Sequence, residues 1–223
     1  MIENSIEHHS QAAPMGQVQQ FAQGVIPAQQ MARSIGCAFT WNDRQRCFAP
    51  DVDAWGNSSM PGILIAGDGA GIFGAVAAEH AGHLAAFEAL RRLGRIDAAE
   101  RDILAAADLR ARKAHLAVRD FLDRLYAPPQ AILTPADDVL VCRCEEITAG
   151  ALREVARQGC QGPNQAKSFL RTGMGPCQGR LCGPTVSAIL AQAHNVGMDE
   201  IGYFRIRPPL KPITVGEIAG MGA

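Results

Sequence analysis

Cys142 and Cys144 stand one residue apart in VCRCEEITAG, and Cys177 and Cys182 four residues apart in GMGPCQGRLCG, with 32 residues between the two pairs. Four thiols gathered into two short segments suit three chemistries: a zinc ion, an iron–sulfur cluster or a pair of disulfides. Structural zinc sites usually leave two to four residues between paired cysteines, so C-x-C is tight, and no histidine lies close by in sequence. Iron–sulfur clusters also take four thiolates, with varied spacings. Disulfides suit the compartment badly, because neither a leader nor an even cysteine count is present among the seven cysteines. Four unrelated buried cysteines would leave the clustering and the glycines around them unexplained.

The surroundings favour an anionic cluster. From 139 to 195 the cations Arg143, Arg153, Arg157, Lys167, Arg171 and Arg180 face only Glu145, Glu146 and Glu154. Thr148 is placed to cap a helix just after Cys144, and Cys182 precedes GPTVSAIL, whose helix N-terminus would point at the site. Gly173, Gly175, Gly179 and Gly183 let the backbone approach a metal and donate N–H groups to sulfur. Cys160, Cys37 and Cys47 lie outside the pattern and read as small core residues or incidental thiols.

The elements that must position these residues divide the chain. Residues 1–20 are polar and Gln-rich and read as a poorly ordered segment. Residues 21–95 carry a short helix in IPAQQMARSIG with Pro27 first, strand-like pieces AFTW and CFA, a buried strand GILIAG and a helix over about 71–93. Residues 96–138 are a helical extension and linker: Asp97 with Glu100 resembles a capping box, and a helix over about 98–125 repeats apolar residues at Ile103, Ala107, Ala114, Val118, Phe121 and Leu125. Residues 139–223 form the cysteine-bearing domain, with helices from Thr148, Pro163 and Pro184 and an extended RIRPPLKPITVGEIAG tail. Such a domain is too small for a large core, and a metal centre would help to hold it. The fold class expected is α+β, predominantly helical.

Gly69, Gly71 and Gly74 fit G-x-G-x-x-G after a strand and before a helix. An opening nucleotide-binding unit also needs a second strand ending in an acid about 20 residues on. Position 88 is Glu, but inside the helical pattern HLAAFEALRRLG, so this is not such a unit. SMPGILIAGDGAGI instead resembles the closing FAD motif of flavoproteins with two dinucleotide-binding domains. That resemblance implies that Asp68 binds the ribityl hydroxyls of FAD, and that Gly67, Gly69, Ala70, Gly71 and Ile72 face the flavin ring or the pyrophosphate. A tight strand-to-helix turn with Asp68 as its cap is the plainer alternative.

VCRCEEIT followed by RTGMGPCQGRLCG is similar to the bacterioferritin-associated-ferredoxin-like [2Fe–2S] domain, which implies that Cys142, Cys144, Cys177 and Cys182 ligate a [2Fe–2S] cluster. The Gly-Asp strand, the helical extension, the cysteine domain and the RPPLKPITVGEIA tail together resemble the alpha-type flavoprotein subunit of opine oxidases, hydrogen cyanide synthase and related amino-acid dehydrogenases, over residues 21–223. The resemblance implies an electron-transfer module carrying FAD and the cluster. It implies as partners a second flavoprotein subunit that oxidises an amino acid or opine, and a chain supplying the N-terminal nucleotide-binding half. On this reading the chain is a C-terminal remnant with a partial FAD site. A non-catalytic ferredoxin-like binding module and a structural zinc protein are the alternatives.

Composition narrows the rest. The 223 residues carry a net charge of −1, with 48% hydrophobic and 5% aromatic content, which supplies neither a basic field nor stacking platforms for nucleic acid. PGILIAGDGAGIFGAVAA is too short and too interrupted to span a bilayer. MIENSIEHHSQ holds acids and no apolar core of a leader, so a cytoplasmic protein is expected. His80 and His83 share a helix face at i, i+3 and read as helical surface residues, Asp137 and Asp138 as solvated linker, and no general acid, base or nucleophile stands out.

Overall fold

The computed structural model describes residues 26–221, so the expectation for residues 1–20 lies outside the described residues. The fold is α+β and predominantly helical, with two small antiparallel hairpins as its only sheets among the described residues.

Helix α1 (Gln30–Ser34) ends at Gly36, whose φ of 87° only glycine adopts freely. Pro27 lies three residues before it rather than at its first position. AFTW and CFA form the hairpin β1 (Phe39–Asn42) and β2 (Cys47–Pro50), with Trp41 opposite Phe48. GILIAG is extended but half-buried, and its one ladder contact is a bridge from Leu64 to Asn57. Without neighbouring strands an apolar run of this kind makes no sheet. A 3-10 turn follows at Gly67–Gly69, and α2 (Ala75–Arg92) starts four residues later than the glycine pattern suggests, because Gly71 (φ 151°) and Gly74 (φ 93°) hold the chain out of the helical region.

Helix α3 (Ala98–Leu116) lies against α2. Asp97 caps it by accepting the Glu100 N–H at 2.8 Å. The long helix expected to reach residue 125 breaks at Ala117–Val118 and resumes as α4 (Arg119–Leu125). Its apolar stripe faces solvent: Ile103 is 76% exposed, Phe121 63% and Leu125 59%. The pair is held by charge instead. Glu88 of α2, fully buried, accepts from Arg91 (2.7 Å), from Arg92 and from Arg101 of α3 (2.7 Å), and Arg101 stacks over Trp55 at 3.8 Å. The guanidinium of Arg91 first, then those of Arg101 and Arg92, hold the Glu88 carboxyl well below the usual carboxylate range.

The short α5 (Gln130–Leu133) leads into a hairpin absent from the sequence reading, β3 (Leu140–Cys142) and β4 (Ile147–Thr148). Thr148 accepts the Ala151 N–H at 3.2 Å and starts α6 (Ala149–Arg157), which buries Leu152, Val155 and Ala156 on one face. Pro163 opens α7 (Pro163–Leu170), and Cys182 is the N-cap residue of α8 (Gly183–His194), buried along Gly183–Ala191. After α9 (Met198–Ile201), residues 203–206 run extended through the core. The tail bends at Pro208, Leu210 and Lys211 before Thr214, where a capping box with Glu217 adds α10 (Val215–Gly220) to the expected pattern.

Leu152, Val186, Ile189, Leu190 and Phe204 centre the main core, each contributing about 2 kcal/mol by burial. Phe48 joins that core from the first hairpin, edge-to-face with Tyr203 at 5.6 Å. Asp199 accepts the Trp41 N–H at 2.7 Å, and the Arg33 guanidinium lies over Phe39, Phe48 and Tyr203. Burial lowers Arg33 to about 10. The hairpin and the cysteine-bearing region therefore share one interior.

Candidate metal centre

The four cysteines of the two segments come together at one end of that core. Cys142 ends β3, and Cys144 sits in the turn that follows, where Glu146 (φ 55°) takes the left-handed conformation that closes the hairpin. Cys177 lies in the 172–181 loop, and Cys182 caps α8. They fall into two pairs. The Cys182 thiol donates to Cys142, and the Cys144 thiol meets Cys177. The first pair is buried, each member 1% exposed, whereas Cys144 is exposed and Cys177 half-buried. One pair is thus an inner pair and the other opens to solvent.

Cys142 is prepared as an anion. The Cys182 thiol first, then the N–H groups of Gly173 and Glu145, favour charge on its sulfur, and against the cost of burial they pull it down to about 5. Cys182, donor to that sulfur and itself buried, is pushed well above the ordinary thiol value. Cys144 accepts from the Cys177 N–H, which lowers it, but burial and the neighbouring Cys177 sulfur leave it raised. Thr172 is fully buried, and its Oγ1 has no hydrogen-bond partner.

These residues fit a two-iron cluster better than a single ion. Four thiolates on one zinc, at 2.3 Å each in a tetrahedron, stand about 3.8 Å from one another. Among the described residues no three of the cysteine sulfurs lie within 4.8 Å of each other. A two-iron cluster needs two thiolates at each iron, and two separate contacting pairs are what the chain supplies. The buried Thr172 hydroxyl and the convergent N–H groups suit a sulfur-rich anion. Cys142, Cys144, Cys177 and Cys182 are therefore the residues that would hold it.

The glycines divide their work differently from the expectation. A Cβ on Gly175 would overlap the Cys144 Cβ, with the Cys144 Sγ at 3.2 Å. Gly173 and Gly179 both lie under the Phe204 ring, 2.6 Å from where a Cβ would stand, and Gly183 lies under the Tyr203 hydroxyl. Gly173 still donates its N–H to Cys142. Tyr203 reaches back to the Gly179 carbonyl at 3.2 Å. Phe204 and Tyr203 thus form a floor that fixes the loop, and nothing in their sequence spacing marks them for it. Thr172, next to Gly173 in RTGMG, is the site residue the sequence reading left out.

The cations are distributed unevenly. Arg153 pairs with Asp137 and Arg157 with Glu154. Arg171 bonds Glu145 at 3.1 Å, and Arg180 bonds the Cys177 carbonyl at 3.1 Å. Beside the loop an open groove of about 750 Å³ is lined by Asn164, Lys167, Arg171, Gly173, Arg205 and Arg207. Cys160 is fully buried in the main core, Cys37 and Cys47 are buried elsewhere, and burial pushes Cys47 up to about 12. All seven cysteines are unpaired by disulfides.

The Gly-Asp turn stands apart. Asp68 is exposed on the 3-10 turn, Ala70 and Gly71 are buried, and the Ile72 carbonyl accepts from Gln45 at 3.0 Å. Among the described residues no helix is long and apolar enough to cross a membrane.

Residues 140–192 match the BFD-like [2Fe-2S] binding domain family. An opine oxidase subunit of Rhizobium meliloti is a homologue, 48% identical over 97% of this chain and 46% of its own length. The hydrogen cyanide synthase subunit HcnB of Pseudomonas aeruginosa is another, 33% identical over 89% of this chain and 42% of its own. The chain thus spans less than half the length of these relatives. A crystal structure of L-proline dehydrogenase from P. horikoshii shares the fold, with a TM-score of 0.66 at 22% identity over 86% of this chain and 37% of that one.

Proposed function

We propose that the chain is the electron-relay module of an FAD- and [2Fe–2S]-dependent oxidoreductase of the amine, opine or amino-acid dehydrogenase type. In this reading Cys142, Cys144, Cys177 and Cys182 hold the cluster, and Asp68 with Gly67 and Gly69–Ile72 forms part of an FAD site. Bound there, the cluster supplies one-electron exchange between flavins that handle electrons in pairs.

The chain's own residues set the conditions for that exchange. The N–H groups of Gly173 and Glu145 stabilise charge on the inner Cys142 sulfur. Cys182 and the apolar core exclude water from that side. Cys144 and Cys177 leave the other side open, beside the basic groove. The observation that carries the proposal is this division of four cysteines into a buried and an open pair, which gives an electron one short way in or out.

Substrate oxidation belongs, in this reading, on a partner, a second flavoprotein subunit that acts on an amino acid or opine. The apolar surface of Ile103, Phe121 and Leu125 and the groove of Lys167, Arg171, Arg205 and Arg207 are the faces it would cover. A reducing, cytoplasmic compartment suits the free thiols.

Anaerobic purification with a visible spectrum and iron, sulfide, zinc and flavin analysis tests the proposal. Brown protein with iron and sulfide in equal amounts, two of each per chain, is expected. Colourless protein with one zinc would overturn it. Flavin that persists in the wild type and is lost from Asp68→Ala would assign the turn; flavin equal in both would remove Asp68 from the FAD site.

A further inference from the structure

A second group of ligand atoms converges on α2 and α3, elements that contribute nothing to the cysteine site. His80 and His83 lie one turn apart on α2, and Asp108 faces them from α3. The Asp108 Oδ1 stands 2.7 Å from the His80 Nδ1 and 2.9 Å from the His83 Nδ1. One ligand atom from each of the three residues falls within 4.8 Å of the other two, which holds for no other three His, Cys, Asp or Glu side chains among the described residues. His115 of α3 stacks on His80 with ring centroids 6.2 Å apart.

We propose that His80, His83 and Asp108 form a divalent-metal site that clamps α2 to α3. Two imidazoles and one carboxylate select a borderline metal such as zinc, nickel or cobalt over magnesium or calcium, which prefer oxygen alone. Three protein ligands leave room for water in the fourth position. In the metal-free form each ring instead contacts the same carboxylate oxygen. Ligands around a tetrahedral zinc stand about 3.3 Å apart, so an ion has to part each nitrogen from the oxygen by roughly half an ångström. His83, 53% exposed, is free to move by that amount, and Asp108, 15% exposed, fixes the site from below.

Need for a clamp is visible in the packing. The two helices bury only Ala77, Leu84, Glu88 and Ala105 fully, and Ile103 and Leu104 point outward. Glu88 with Arg101 ties the end near the connecting turn. His80, His83 and Asp108 sit further along both helices, on the far side of Leu84 and Ala105, and theirs is the polar tie at that end. A bound ion fixes that end and raises stability by linkage to the folded state.

The test compares the full chain with its His80→Gln/His83→Gln variant after equilibration with zinc and removal of the excess. Metal analysis and zinc X-ray absorption are read on both, so whatever the cysteines hold cancels. The proposal expects one more zinc per chain in the wild type, a difference spectrum of nitrogen and oxygen scatterers only, and a thermal midpoint that zinc raises further in the wild type than in the variant. Equal zinc in both proteins, or a sulfur shell in the difference, overturns it. His83→Gln alone, at an exposed position, checks that a loss comes from the missing ligand: circular dichroism unchanged with zinc lost supports the site, and zinc retained refutes it.

Discussion

Gly175 lies against Cys144 so closely that a single methyl group on it would occupy the space of the Cys144 Cβ. The hairpin turn and the 172–181 loop therefore approach each other backbone to side chain at the open edge of the cysteine site. Gly175→Ala must push Cys144 away from Cys177. We expect the variant to lose most of its iron and sulfide while circular dichroism stays that of the wild type. Full iron content in Gly175→Ala would show that the loop yields without cost.

Thr172 carries a fully buried hydroxyl with no hydrogen-bond partner, next to Gly173 of the cysteine site, and a cluster bound there would give it a sulfur acceptor. Thr172→Val keeps the shape and removes the donor. A hydrogen bond worth about 1 kcal/mol corresponds to about 40 mV for a one-electron couple. The midpoint potential of the cluster is expected to fall by that amount in Thr172→Val and to return in Thr172→Ser, as followed by redox titration with electron paramagnetic resonance.

Cys160 is fully buried in the main core, with its Sγ 3.5 Å from the Gly162 carbonyl, and belongs to neither cysteine pair. Cys160→Ala is expected to retain full iron and sulfide and to lose about 1 kcal/mol in urea unfolding, as small deletions from a core do. The same substitution at Cys142 or Cys182 is expected to remove the metal altogether. Iron analysis of the three variants separates the roles.

Glu88 is buried among three guanidinium groups, and removing its charge strands them. Breaking a buried ion pair costs about 3 kcal/mol, so Glu88→Gln should show a clearly lower urea midpoint. The sign with pH follows from the depressed folded-state value. The contribution is complete above the unfolded carboxyl value near pH 4.5 and is lost progressively as the pH falls below it. Wild-type stability should therefore decline from about pH 5 downward more steeply than that of Glu88→Gln; parallel curves would mean that Glu88 keeps an ordinary value.

Much of the cysteine site could be read from residue types. The two cysteine segments, the Thr148 cap, Pro163 and the helix after Cys182 follow local rules, whereas the pairing of Cys142 with Cys182 and of Cys144 with Cys177 runs between segments and comes from the fold. The β3 and β4 hairpin escaped because three and two residues are too short for a period. Phe204 and Tyr203 come from far down the chain, and their role over Gly173, Gly179 and Gly183 depends on the fold. The helical period at Ile103, Phe121 and Leu125 was legible, but the direction that stripe faces was not: period identifies a helix, and neighbours decide which side is buried. The helical pattern HLAAFEALRRLG puts Glu88 in a helix, but its arginine shell is complete only because α3 lies beside α2.

The shared interior of the first hairpin and the cysteine-bearing region bears on how such a piece can be moved between proteins. Phe48 fills a place beside Tyr203, Arg33 covers both, and Trp41 is tied to Asp199 across 158 residues of chain. A cassette cut at the linker before residue 139 would leave a hole where Phe48 sits and bare the ring of Tyr203. A transplantable unit has to carry the hairpin along, so a working recombination point lies ahead of α1, not at the linker.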